Sequence, residues 1–282
     1  MRRSERIVRI TEELLTHPYQ IISLTDLAKR FEAAKSSLSE DLGIIREVLE
    51  MEGKGTLETQ AGAFGGVRFI PGISNEEAVS FVKGLGRELA TGDRVLPGGY
   101  LYMTDVLGRP DILDRAGRMF AERFGKHQVD VVMTVETKGI PLAIATSRYL
   151  HVSTVVVRRD QRVTEGSAVS INYVSGSGRR IQTMSLSRRS MPEHSRVLIV
   201  DDFMKAGGTA KGMIELLQEF RSEVVGVGVF METAEPETKL VSNYVSVARL
   251  SKVDEFARNV EIELGNYFSK NYENNVLGNI QQ

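Results

Sequence analysis

The chain has 282 residues, 41% hydrophobic and 26% charged, with a net charge of −1 and no cysteine. Lack of cysteine excludes a disulfide framework and thiolate metal sites, and the scattered histidines His17, His127, His151 and His194 show no paired zinc-ligand spacing, so no metal site is expected. No apolar run approaches the roughly 18 residues of a membrane span, and no apolar stretch follows the basic amino terminus as a secretion signal requires, so the chain reads as cytoplasmic, with no membrane partner.

The length suits one small and one large domain. The pattern changes near residue 74, which divides the chain into 1–73 and 74–282. In the first part Ile7, Ile10 and Leu14 recur at helical spacing. His17-Pro18 stops that helix, because the residue before a proline is pushed out of the helical region. Ser23 and Asp26 have the spacing of a capping box, opening a short helix whose apolar face is Leu24, Leu27, Ala28 and Phe31. A third helix is predicted over 35–51, with Leu38, Leu42, Ile45 and Leu49 in one stripe. Two short strands, 56–60 and 67–70, flank a glycine-rich turn at Gly62, Gly65 and Gly66.

Three helices and a hairpin of these lengths make a winged helix-turn-helix, whose third helix enters the DNA major groove. Lys35, Ser36, Ser37 and Ser39 open that helix with the small polar or basic side chains that base edges require. Arg2, Arg3, Arg6 and Arg9 crowd the amino terminus, and Lys29 and Arg30 end the second helix, as candidates for phosphate contact. Lys54 and Arg68 sit on the hairpin. The first seventy residues hold ten basic and eleven acidic side chains, so placement and not gross charge carries this reading. The same three helices also suit dimerisation or protein binding, an alternative that stays open.

The large part begins with helices at 75–90 and 111–124. Short, fully apolar runs follow at 129–135, 153–157, 197–200 and 223–231, alternating with helices at 140–150 and 210–220. That alternation predicts an α/β domain with a parallel sheet covered by helices on both faces. Ligands in such sheets bind at the carboxyl ends of the strands.

Two strand ends carry the chemistry. In VLIVDDFMKAGGT, residues 197–209, four apolar residues lead to Asp201 and Asp202, then Phe203, Met204, Lys205 and Ala206, then Gly207, Gly208 and Thr209 at a helix start. Backbone N–H groups at such a turn suit a phosphate, and the glycines allow it to come close. Carboxylates beside a phosphate repel it unless they hold ribose hydroxyls or a magnesium ion. The second strand end is ETKGIP, residues 136–141. A hairpin with strands at 167–173 and 180–187, around a turn at 175–180, follows Arg158 and Arg159. Both arginines are placed to meet a pyrophosphate, and Tyr102 to stack on a base.

The 197–209 segment resembles the phosphoribosyl pyrophosphate motif of type I phosphoribosyltransferases. By that resemblance Asp201 and Asp202 hold ribose hydroxyls and residues 205–209 cradle the 5′-phosphate. ETKGIP resembles the pyrophosphate loop, with Thr137, Lys138 and Gly139 as binders. Lys205 and Ala206 depart from the small hydroxyl residues usual there: one hydroxyl contact is lost and one positive charge is added, which favours phosphate binding but says little about turnover. Together with the winged helix, the whole chain resembles the purine operon repressor of the Gram-positive type. The resemblance implies a non-enzymatic homodimer that binds the double-stranded operator DNA of purine genes. It implies no required cofactor. Phosphoribosyl pyrophosphate, alone or with magnesium, is the implied effector that weakens operator binding, and guanosine tetraphosphate is the implied competitor. An active purine phosphoribosyltransferase with an accessory domain is the alternative. The Asn-rich stretch at 272–282 is assigned no role.

Overall fold

The computed structural model describes residues 1–62, 65–96, 100–160, 166–174, 181–254 and 259–269. The hairpin turn at 175–180 and the Asn-rich tail at 272–282 lie outside them. The amino-terminal unit comprises helix α1 (Arg3–Thr16), strand β1 (Ile22–Ser23), helices α2 (Leu24–Phe31) and α3 (Lys35–Met51), and strands β2 (Gly55–Gln60) and β3 (Gly66–Pro71). Ser23 caps α2, its Oγ accepting the Asp26 N–H at 3.3 Å. The three helical stripes meet in one small core of Ile10, Leu14, Leu27, Leu38, Ile45 and Leu49, closed from the hairpin side by Leu57, Val67 and Phe69. Strand β1, two residues without a strand pattern of their own, pairs antiparallel with β3 and completes a three-stranded sheet in the order β1-β3-β2.

A buried ion cluster ties α1 to α3. Arg6 Nε lies 2.6 Å from Asp41 Oδ2, and Arg3 Nε lies 2.8 Å from Asp41 Oδ1. Burial pushes the Asp41 carboxyl up, but hydrogen bonds and charge from Arg6 and Arg3 outweigh it and hold the carboxyl below its ordinary range. This corrects the expectation for Arg6. Its side chain is only 12% exposed and braces two helices, so it does not stand free for DNA.

The larger unit begins with α4 (Asn75–Leu89), the short pair β4 (Val95–Leu96) and β5 (Tyr100–Leu101), and α5 (Pro110–Phe124). It continues through β6 (Val131–Val135), α6 (Gly139–Leu150), β7 (Ser153–Val157), the hairpin β8 (Ala168–Val174) and β9 (Ile181–Ser187), β10 (Arg196–Met204), α7 (Gly208–Gln218), β11 (Glu223–Thr233), β12 (Val245–Asp254) and β13 (Asn259–Leu264). Six strands form one sheet in the order β13-β12-β11-β10-β6-β7, parallel except for β13. Strand alternation feeds two core layers. Leu198, Val200 and Phe230 point to the side of α4, α5 and α6, and Val197, Ile199 and Val229 to the side of α7 and the β8–β9 hairpin. Among the described residues no helix is long and apolar enough to cross a membrane.

The two units are joined without a slack connection. β3 ends at Pro71, and Ser74 already caps α4, accepting the Glu77 N–H at 3.1 Å. Arg118 of α5, 3% exposed, donates to the Gly72 carbonyl at 3.2 Å and to Glu77 Oε1 at 2.6 Å. Tyr19, in the turn after α1, reaches α5 and donates its hydroxyl to the Ala121 carbonyl at 2.8 Å. Its ring fills a notch at Gly125, where any Cβ would overlap it. Gly125→Ala should therefore cost ~1–3 kcal/mol by overpacking. On a Tyr19→Ala background the same substitution should cost close to nothing. Urea unfolding of the four proteins in this cycle measures the coupling, and equal cost on both backgrounds would show that the peg and notch do not act together.

Candidate effector pocket and DNA-reading surface

Strand β10 outlasts its apolar run. The sequence places the strand end at Val200, yet the ladder continues to Met204, with Asp201 opposite Val229 and Phe203 opposite Met231 of β11. Asp201 is therefore held in the sheet, 6% exposed, and its Oδ1 accepts the Asp202 N–H at 2.9 Å. Burial first, and then the neighbouring Asp202 charge, push the Asp201 carboxyl well above its ordinary range, against an opposing pull from Arg159.

Beyond Met204 the chain turns through Lys205, Ala206 and Gly207 into α7. Gly207 has φ +84°, the left-handed region that glycine enters without strain. The Leu240 N–H pins the turn by donating to the Ala206 carbonyl at 2.8 Å. The first N–H groups of α7 have no partners within the helix and carry the positive end of its dipole. They face a cavity of about 180 Å³ lined by Asp201, Phe203, Met204, residues 205–210, Val229, Arg159 and Gln182. Backbone donors, a lysine and an arginine around a small polar hollow suit a phosphate-bearing ligand.

The other expected binders divide. Gly139 opens α6 so close to the Asp201 strand end that a Cβ there would stand 3.3 Å from Asp201 Oδ1 and overlap Thr134 Oγ1. The Thr134 hydroxyl is buried without a protein partner. Thr137 and Lys138 are exposed beside this contact but do not line the cavity, and neither does Asp202, which is half-buried. Arg159 lines it, while Arg158 pairs with Glu136 at 3.2 Å. Tyr102 is the clearest departure. It is exposed, away from the cavity lining, and its backbone bonds to Arg94. Gln182 and Glu136 were missed. Gln182 reaches the pocket only through hairpin pairing, whereas Glu136 stood inside a motif already noticed.

On the small unit Lys35, Ser36 and Ser39 are exposed on the first turns of α3, Ser37 is half-buried, and Arg2 is exposed at the start of α1. Ser39 Oγ donates back to the Lys35 carbonyl at 3.0 Å. Arg3 is half-engaged with Asp41 and Glu40. Arg68 is paired with Glu58 across the hairpin at 2.7 Å. Lys54 lies at the hairpin root, 3.9 Å from Glu77 of the larger unit, and so is not on the wing tip. Lys29 lines an open cleft of about 700 Å³ between the units, with Arg30 (paired with Glu13), His17 and His151.

A parallel sheet whose strand β10 turns through a glycine pair into α7, carrying a winged helix, defines the class: a phosphoribosyltransferase-type domain fused to a DNA-reading module. Residues 2–71 match the family described as bacterial purine repressor, N-terminal, and residues 103–263 the phosphoribosyl transferase domain. The purine biosynthesis transcriptional repressor PurR of Bacillus subtilis is 53% identical over 99% of this chain and 97% of its own length. The purine biosynthesis transcriptional activator PurR of Lactococcus lactis is 44% identical over 95% of this chain and 99% of its own length. Among solved structures, adenine phosphoribosyltransferase from Rhodothermus marinus aligns with a TM-score of 0.52 at 25% identity, covering 62% of this chain and all of that one. The chain belongs to the bacterial purine repressor family.

The raised Asp201 carboxyl has a stability consequence. Its native state holds the proton more tightly than the unfolded chain, whose Asp titrates near ~3.9. The charged form therefore costs stability, and the cost grows as pH rises from about 4 up to the raised native value. Asp201→Asn keeps the Oδ1 acceptor and removes the charge. Urea midpoints measured from pH 4 to 8 should show the variant gaining on the wild type as pH rises. A constant difference across that range would show that Asp201 titrates normally.

Proposed function

We propose that this chain binds operator DNA of purine biosynthesis genes as a homodimer, represses them, and is released when phosphoribosyl pyrophosphate fills the pocket at the end of β10. One observation carries the reading: a DNA-reading module and a phosphate-suited strand end are packed together in one chain, which aligns end to end with a relative named a purine biosynthesis repressor. The Lactococcus lactis relative is named an activator, so the sign of regulation follows the more similar Bacillus subtilis protein.

In this reading α3 reads base edges with Lys35, Ser36 and Ser39, and Arg2 contacts backbone phosphate. Residues 205–209 hold the 5′-phosphate, and Asp201 and Asp202 hold ribose hydroxyls. Guanosine tetraphosphate, carrying pyrophosphate groups of its own, competes for the same space. Magnesium binds through one or two carboxylates plus ligand phosphates. In this reading the domain senses and does not transfer, as the regulator names of its full-length relatives support.

Fluorescence anisotropy with a purine-promoter duplex, at fixed salt, tests the proposal. Phosphoribosyl pyrophosphate should release the DNA where equal ionic strength of sodium chloride does not. The double substitution Asp201→Asn with Asp202→Asn should leave DNA binding intact and abolish release. Arg2→Ala should weaken binding to all sequences and lower the slope of log affinity against log salt by about 1, whereas Lys35→Ala should cost ~1–3 kcal/mol and relax sequence preference. Failure of the wild type to bind, together with purine turnover of about 1 per second or more, would establish the transferase instead.

A further inference from the structure

The end of β6 holds a carboxylate that the effector reading leaves unexplained. Glu136 follows Val135 directly and begins the loop that opens α6 against Asp201. Its Oε1 accepts the Arg159 backbone N–H at 2.7 Å, and its Oε2 lies 3.2 Å from Arg158 Nη1. Its backbone carbonyl accepts Arg159 Nε at 3.4 Å. The Glu136 side chain is 16% exposed, so these contacts are partly shielded from water. Arg159 also lines the cavity, its Nη1 donating to Gln182 Oε1 at 3.0 Å.

Donors that suit an incoming pyrophosphate are thus already engaged by an anion of the chain itself. A carboxylate oxygen and a phosphate oxygen accept the same N–H groups in the same geometry. Both cannot hold them at once, and two anions sharing one site repel each other.

We propose that Glu136 is an internal competitor for the pyrophosphate end of the effector and sets the concentration at which the pocket fills. The inference rests on the effector reading above. Binding exchanges one carboxylate partner for phosphate oxygens at Arg158 and Arg159, so only the difference between the two appears as affinity. Glu136 lowers affinity without touching the 5′-phosphate cradle at residues 205–209. Ligands that carry a pyrophosphate feel it, and ligands with the 5′-phosphate alone do not.

Calorimetric titration of the full chain tests this with three probes: phosphoribosyl pyrophosphate, inorganic pyrophosphate and ribose 5-phosphate. Glu136→Gln removes the charge and keeps an acceptor for the Arg159 N–H. It should bind both pyrophosphate ligands roughly tenfold more tightly, about 1.4 kcal/mol, and ribose 5-phosphate with unchanged affinity. The gain should shrink in high salt. Glu136→Ala should tighten in the same direction, and Glu136→Asp, which keeps the charge, should stay near the wild type. If the wild type binds phosphoribosyl pyrophosphate and Glu136→Gln and Glu136→Ala bind it equally or more weakly, Glu136 positions the arginines and the competitor idea is wrong. If the wild type binds none of the three ligands, the effector reading falls and this inference falls with it.

Discussion

A parallel sheet buried on both faces admits few polar side chains along its strands, so its chemistry collects where the strands end. That constraint organises the larger unit. β6 is buried from Val131 to Val135 and apolar but for Thr134, and β10 stays apolar from Val197 to Val200. The strands β10, β6 and β7 are neighbours in the sheet. Their ends therefore bring Asp201, Glu136 and Arg158 to one edge, although 65 positions of sequence separate Glu136 from Asp201. The strand order also reverses direction around β6, with β7 on one side and β10 on the other. Such a switch point opens a crevice that nothing in the sheet fills. Asp201 stands there with its carboxyl pushed well above its ordinary range, desolvated beside a second acid.

The seating of the small unit narrows how such a ligand acts on DNA. Tyr19 in its glycine notch and Arg118 under the chain crossing fix the winged helix to α5. α5 packs tightly on α6, with Gly117 against the backbone of Ala145, and α6 begins at Gly139 beside Asp201. A ligand changes DNA affinity only by binding the free and DNA-bound states differently. With no slack hinge between the units, that difference has two natural origins. One is competition for basic surface near the pocket. In the proposed homodimer the other is a change in how its two copies are spaced, since half-site separation must match the groove repeat.

Much of this was legible in the sequence because local rules and the fold agree. The stripe of Leu38, Leu42, Ile45 and Leu49 marks α3 correctly at both ends, and the apolar run at 153–157 is β7. What escaped was decided by partners distant in the chain. Arg6 reads as a DNA contact until Asp41, 35 residues on, folds against it. Asp201 and Asp202 read as a loop because they are acidic, but backbone pairing with β11 continues regardless of side-chain polarity. β12 was not recognised as a strand. It places Ser246 in the core, where Glu232 and Asn266 satisfy its hydroxyl and backbone, so its hydropathy understates its burial. β13 alternates on an edge, paired with β12 alone.

The charges around the pocket argue for sensing over tight capture. Asp201 and Glu136 stand among Arg158, Arg159 and Lys205, so attraction for a polyanion is partly cancelled within the site. An enzyme gains nothing from weakening its hold on the part of the substrate that becomes the leaving group, because charge developing there must be stabilised. A regulator has the opposite need. Its site must be part-filled in the working range of its ligand, since a saturated or an empty pocket transmits no change. Acidic side chains that hold the arginines in the empty state meet that need without altering the phosphate cradle. Glu136 also keeps the Arg158 guanidinium paired when the pocket is empty, while Gln182 holds that of Arg159.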